Sequence, residues 1–201
     1  DYSKSDSIII TAGNLSGSMT ITATQDVLDE ADEYLIVNIE SLLNAIESGG
    51  NVIFSDDGTT IEITDDDSAP EVTLTRDNAT IAEAGGTSTV TATLDNVSGQ
   101  DVTVNLNYSE GTATAGSDYS KSDSIIITAG NLSGSMTITA TQDALDEADE
   151  DLVVDVSSVT HGTYSSAMGS ITITDDDNPP VVTLTRDNAT IAEAGGTSTV
   201  T

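Results

Sequence analysis

With 35 Asp and Glu against 4 Lys and Arg in 201 residues, the chain carries a formal charge of −31 and contains no cysteine. That balance excludes nucleic acid and anionic lipid as direct partners, because both are gripped by Lys and Arg, and it favours cations and cation-bridged surfaces. Disulfides staple nothing, no apolar run reaches the length of a membrane span, and no signal peptide is visible in a sequence that opens in mid-repeat. An acidic chain with 3% aromatic residues fits disorder on composition alone. The apolar residues, however, alternate with Thr, Ser and Asn in short runs, which is the pattern of strands.

The opening segment, Asp1 to Asp26, recurs unchanged as residues 118–143, 117 positions later. Residues 72–91 recur as 182–201, a shift of 110. The difference places seven extra residues in the first copy, between Leu35 and Asp65, in the hairpin running through Ser41 to Gly58. A period near 110 suits a domain of about 100 residues. The division expected is therefore a C-terminal part of one repeat at 1–67, a linker at 68–70, and a complete repeat at 71–177. A second linker follows at 178–180, and the opening strands of a third repeat occupy 181–201. Near-identical neighbours are typical of long surface arrays grown by duplication.

Residues 27–48 hold the one helical pattern, with Leu28, Ala31, Leu35, Leu42 and Ile46 on a stripe. The matching Leu152-Val153-Val154-Asp155-Val156 is a poor helix and a good strand. A strand is therefore expected in both copies, with a helical turn over Ser41–Ser48 left open. In the complete repeat, strands are expected at Val72–Thr75, Thr87–Leu94, Val102–Tyr108, Ser124–Thr128 and Ser135–Thr141. Two more are marked by Leu152/Val154/Val156 and by Ile171/Ile173. Turn signals separate them, among them Asn96-Val97-Ser98-Gly99, Ala115-Gly116-Ser117-Asp118, Ala129-Gly130-Asn131 and His161-Gly162. The fold class is all-β: tandem seven-stranded antiparallel sandwiches of immunoglobulin-like architecture.

The acids of this repeat fall at strand ends and in loops. Glu83 precedes the Gly85-Gly86 bend, and Asp118 ends a turn. Asp143, Glu147 and Glu150 line one loop, and Asp175, Asp176 and Asp177 follow the last strand. Connections of an antiparallel sandwich alternate between its two ends, so these four groups can meet at one tip. Carboxylates about 4 Å apart repel by roughly 4 kcal/mol at an effective dielectric of 20, and need a counter-charge. Hard oxygen ligands without His or Cys select calcium over zinc or copper, and its roughly 6–8 oxygens leave room for more than one ion. Asp29, Asp32, Asp146 and Asp149 are expected to face solvent, and Asp66 and Asp176 to belong partly to the linkers.

The order of Ile81-Ala82-Glu83-Ala84-Gly85-Gly86, Gly111-Thr112-Ala113-Thr114-Ala115-Gly116-Ser117-Asp118-Tyr119, the Glu147/Glu150 loop and the Asp triplet resembles the Calx-beta family, named for the calcium-binding regulatory domains of sodium–calcium exchangers. The resemblance implies calcium ligands at Glu83, Asp118, Asp143, Glu147, Glu150, Asp175, Asp176 and Asp177. In the first copy it implies Asp1, Asp26, Glu30, Glu33, Asp65, Asp66 and Asp67, and in the third only Glu193. Gln142-Asp143-Ala144 departs from the Asp-richer loop of exchanger domains, which implies fewer ions.

His161 has no partner at a fixed spacing, and carboxylate pairs in a chain with five Tyr and one Phe lack the aromatic lining of a glycosidase cleft. No enzyme is expected. The function expected is that of a calcium-binding structural repeat, a stretch of an adhesin-like stalk outside or on the surface of a bacterial cell. Its partners would be calcium and neighbouring repeats of the same chain. The alternatives are a filament subunit joined to other copies by strand donation and a calcium-sensing module.

Overall fold

Short alternating runs of Thr, Val and Ile build strands and nothing else. The computed structural model describes residues 1–37, 39–44, 60–109, 111–165 and 168–201, and among them there is no helix. At the start, β1 (Tyr2–Ser3) pairs with β2 (Thr22–Ala23) and β3 (Glu33–Ile36) with β4 (Thr60–Ile63). Thus the 27–48 stretch contains a strand where the competing pattern suggested a helix. The turn left open at Ser41–Ser48 and the insertion through Ser41 to Gly58 fall mainly on 45–59, outside the described residues.

Ten strands then share one core: β5 (Glu71–Arg76), β6 (Thr80–Ala82), β7 (Thr87–Leu94), β8 (Val102–Ser109), β9 (Tyr119–Ser120), β10 (Ser124–Ile127), β11 (Ser133–Ala140), β12 (Glu150–Thr160), β13 (Thr163–Tyr164) and β14 (Ser170–Thr174). They form two five-stranded sheets, β10-β8-β12-β14-β6 and β13-β5-β7-β11-β9, packed as a sandwich. Period two decides which side chains meet between them. Val90, Ala92, Val102, Val104, Ile138, Val154 and Ile171 are fully buried, while the Thr residues between them face outward or lie half-buried.

The all-β sandwich agrees with the sequence, but strand number and direction differ from the seven antiparallel strands expected. The opening strand breaks after Arg76 and changes sheets. Asp77 accepts the Thr89 N–H at 2.7 Å, and the buried Ser88 hydroxyl donates to Asn78 O at 2.8 Å, pinning the break to β7. The chain emerges as β6 beside β14, running parallel to it, and β13 lies parallel to β5. Edge ladders of two or three residues leave no periodicity in a sequence, so β6, β9 and β13 were invisible there.

Outside this core the picture changes. Among the described residues of 1–67 only Leu35 is buried, and residues 178–201 are exposed throughout.

Candidate metal centre

Glu83 leaves β6 held by its own backbone, since its N–H donates to Thr174 O at 3.0 Å. The Gly85-Gly86 bend then turns the chain away. Gly85 sits at φ +75°, and a Cβ on Gly86 would stand 2.5 Å from Ala82 O, so neither position accepts a side chain without strain. This places the Glu83 carboxylate inside the tip, 6% exposed, where the Asp143 N–H donates to it at 2.9 Å.

Asp118 closes the turn after β8. Its carboxylate accepts the Thr114 N–H at 2.5 Å, Gly116 supplies φ +91°, and the Thr141 N–H ties the turn to the end of β11 at 2.9 Å. The loop leaving β11 is organised by Asp143, which accepts the Leu145 N–H at 2.7 Å. Beyond β14 the chain stays extended, so Asp175 and Asp177 keep the inward face of Ile171 and Ile173. Both are half-buried, whereas Asp176 is exposed.

The result is a cavity of about 10 Å³ at one tip, walled by Glu83, Asp118, Thr141, Asp143, Glu147, Glu150 and Asp175. Carboxylate oxygens of Glu83, Asp175 and Asp177 lie within 4.8 Å of one another. Asp176 belongs to neither group. The same loops in the first copy draw Asp1, Asp26, Glu30, Glu33, Asp65, Asp66 and Asp67 around a wider cavity of about 130 Å³. Glu193 is exposed, with only a local turn around its carbonyl, which accepts the Gly195 N–H at 2.9 Å.

Two structural residues escaped the sequence reading. Asp149 is exposed, as expected, and it also accepts the Asp175 N–H at 3.2 Å. Asp32 does the same for the Asp65 N–H at 3.0 Å. Each holds the acidic segment after the last strand against the loop. A spacing of two between acids of one loop was the only available signal. Thr141 was missed because a strand-end Thr looks like any outward-facing Thr.

No Lys or Arg lines either cavity. For Glu83, the Asp143 N–H favours the ionised form, but burial and the charges of Asp143, Asp175 and Asp177 outweigh it and raise its pKa above the usual carboxylate range. Burial, then the neighbouring Asp118, Glu147 and Glu83, raise Glu150. Burial, then Asp176, Asp175, Asp143 and Asp146, raise Asp177. Among the described residues the buried Asp175 Oδ1 has no hydrogen-bond partner. A buried acceptor without a donor, in a wall made almost wholly of acceptors, fits an oxygen-seeking cation. This arrangement is suited to holding a cation.

Fold and tip together define an all-β sandwich with converging carboxylate loops. The Calx-beta domain profile matches residues 65–177, which is 113 of the 201 residues, and the chain belongs to the Calx-beta domain family. Among solved structures, it is similar to the apo form of the Calx CBD1 domain. There the identity is 20% and the TM-score 0.48, over 55% of this chain and 100% of that one. It is also similar to CBD12 from CALX1.2 (20% identity, TM-score 0.47, 53% of this chain and 44% of that one). A further match is the calcium binding domain CBD12 of CALX1.1, at 21% identity and TM-score 0.44, over 50% of this chain and 42% of that one. The chain thus spans less than half the length of the two CBD12 structures. No curated protein matches it.

Proposed function

We propose that the protein is a calcium-binding structural repeat of a longer extracellular or cell-surface bacterial protein, an adhesin-like stalk in which calcium stiffens each repeat and its junction. The observation that carries this is the pairing of buried Glu83 with Asp175, whose Oδ1 is buried without a donor, 4.8 Å or less from Asp177 and with no basic residue in the wall. Calcium supplies the missing counter-charge. Glu83, Asp118, Asp143, Glu147, Glu150, Asp175 and Asp177 would hold it, with Asp176 facing outward. Asp1, Asp26, Glu30, Glu33, Asp65, Asp66 and Asp67 would serve the first copy, and Glu193 the third.

The repeat boundaries proposed are 1–67, 71–177 and 181–201. The linker before the complete repeat supports them: Pro70 is fully buried, and its carbonyl accepts the Thr163 N–H at 2.8 Å. An ion held beside Asp65–Asp67 therefore lies three residues from an anchored proline, which transmits order across the junction. Binding to the folded state alone stabilises it by about 2.7 kcal/mol when calcium is at 100 times its Kd. Melting the chain in calcium and in chelator tests the proposal. Calcium is expected to raise Tm by several degrees and to reduce hydrodynamic size. Identical melting in both conditions would overturn it.

A further inference from the structure

The Leu28–Glu33 segment has an identical counterpart in Leu145–Glu150, yet the two differ in exposure. Leu28, Asp29 and Glu30 are half-buried, while Leu145, Asp146 and Glu147 are exposed. What covers the first copy is the Ser98–Gly99 turn between β7 and β8. Asp29 and Ser98 form a parallel bridge. The Gly99 N–H donates to Asp29 O at 3.0 Å, and the Ser98 hydroxyl is shared between Asp29 O at 3.3 Å and Asp29 Oδ2 at 3.4 Å.

On its other side the turn is firmly built. Ser98 is 1% exposed, its Oγ accepts the Gln100 N–H at 3.0 Å, and its carbonyl accepts the Gly130 N–H at 2.9 Å. A buried hydroxyl whose proton goes to Asp29, a residue outside the sandwich, satisfies no need of the sandwich itself. Gly99 is equally specific. Its backbone is not among the positive-φ glycines, so the turn itself does not demand glycine. A Cβ there would instead lie 2.7 Å from Glu30 Cγ.

We propose that Ser98–Gly99 is a docking joint for the Asp29–Glu30 loop of the preceding repeat, and that Gly99 is the position that admits it. The joint sets the angle between consecutive repeats through a hydroxyl and a backbone N–H. It rests on the division of the chain into repeats and not on calcium. Asp29 is thereby assigned to the joint, and the exposed Asp146 becomes the matching plug for the turn of whatever repeat follows.

Because the described chain has no native cysteine, engineered pairs report proximity. In the 201-residue chain, with chelator present, Glu30→Cys combined with Gly99→Cys is expected to form a disulfide under mild oxidation. Glu147→Cys combined with Gly99→Cys, built on the identical loop of the other repeat, is expected to stay reduced. Hydrogen exchange gives a second readout. The residue 99 amide should be protected in the unmodified chain and exchange about 2- to 10-fold faster in Gly99→Val, the worth of one hydrogen bond, with β11 amides unchanged. Equal cross-linking of both pairs, cross-linking of neither, or an unprotected residue 99 amide overturns the joint. Since every arm runs without calcium, its failure is distinct from a failure of metal binding.

Discussion

Residues 1–26 and 118–143 have one sequence and two structures. In the second copy Ile125 and Ile127 are 2% and 1% exposed in β10; in the first, Ile8 and Ile10 are 50% and 57% exposed and outside any strand. The turn between them does not change. Gly13 and Gly130 have φ of +90° and +82°, and Asn14 and Asn131 each donate to the Thr three residues back, at 2.6 and 2.5 Å. Residues 72–91 and 182–201 repeat the lesson. Asp77 and Asp187 accept the Thr89 and Thr199 N–H at 2.7 and 2.8 Å, and those bonds hold both carboxyls below the usual range. Yet Val72 and Leu74 are buried, while Val182 and Leu184 are 85% and 76% exposed. Turns are written within a few residues. Strands need a partner surface.

The two acidic cavities differ in the same way. Both collect one aspartate from the 118-type turn and three acids from the long loop; the first adds all of Asp65, Asp66 and Asp67, the second only Asp175 and, beside it, Asp177. The cavity of the 71–177 unit has the buried Glu83 in its wall and measures about 10 Å³, against about 130 Å³ for the other.

The largest break in this comparison should come from the core. Ile127→Ala is expected to cost about 2–5 kcal/mol in urea unfolding, as a fully buried side chain does. The matched Ile10→Ala should change stability by no more than about 0.5 kcal/mol. An equal cost for both would mean that the first copy is packed in solution. Next, Glu83→Gln should remove most of the calcium-induced rise in Tm of the complete repeat while leaving calcium binding at the first copy, which calorimetric titration can separate. A titration unchanged in both would take Glu83 out of the site.

A smaller effect is expected at the turns. Gly130→Ala forces a left-handed residue at a cost of about 1–2 kcal/mol, and Gly13→Ala should leave the main unfolding transition in place. Least in size is the pH response in chelator. Glu83, Glu150 and Asp177 have folded pKa values above their ordinary ones, so the folded chain binds more protons than the unfolded chain between those limits. Their stabilising contribution is complete below the ordinary carboxylate pKa and is lost as pH rises through the raised values. Chelated protein should therefore melt higher near pH 4.5 than at pH 7 as far as these groups decide it, and calcium should reverse that slope. The two melting series, run side by side, check the sign.

Much of this was legible in the chain itself. Alternation at Val102/Val104/Leu106 and Met136/Ile138/Ala140 named the buried faces of β8 and β11 correctly. Spacing of acids at strand ends named loops that the fold gathers at one tip. Asp176 is set apart in the sequence as partly linker, and continuing the period of Ile171 and Ile173 through Asp175 and Asp177 gives the physical reason it is exposed. The parallel pairing of β6 with β14 could not be read there, because Thr80–Ala82 is three residues long and its partner is some 90 positions away. Nor could the contact of Ser98 and Gly99 with Asp29, which joins segments some 70 residues apart by the Ser98 hydroxyl and the Gly99 N–H.

The sequence by itself determined the repeat, the strand alternation, the glycine turns and the supply of carboxylates, since each depends on residues that are neighbours along the chain. Only the tertiary structure decided which sheet the opening strand joins, that two edge strands run parallel to their neighbours and how tightly the acids close. Those outcomes depend on surfaces far apart along the chain coming together to exclude water.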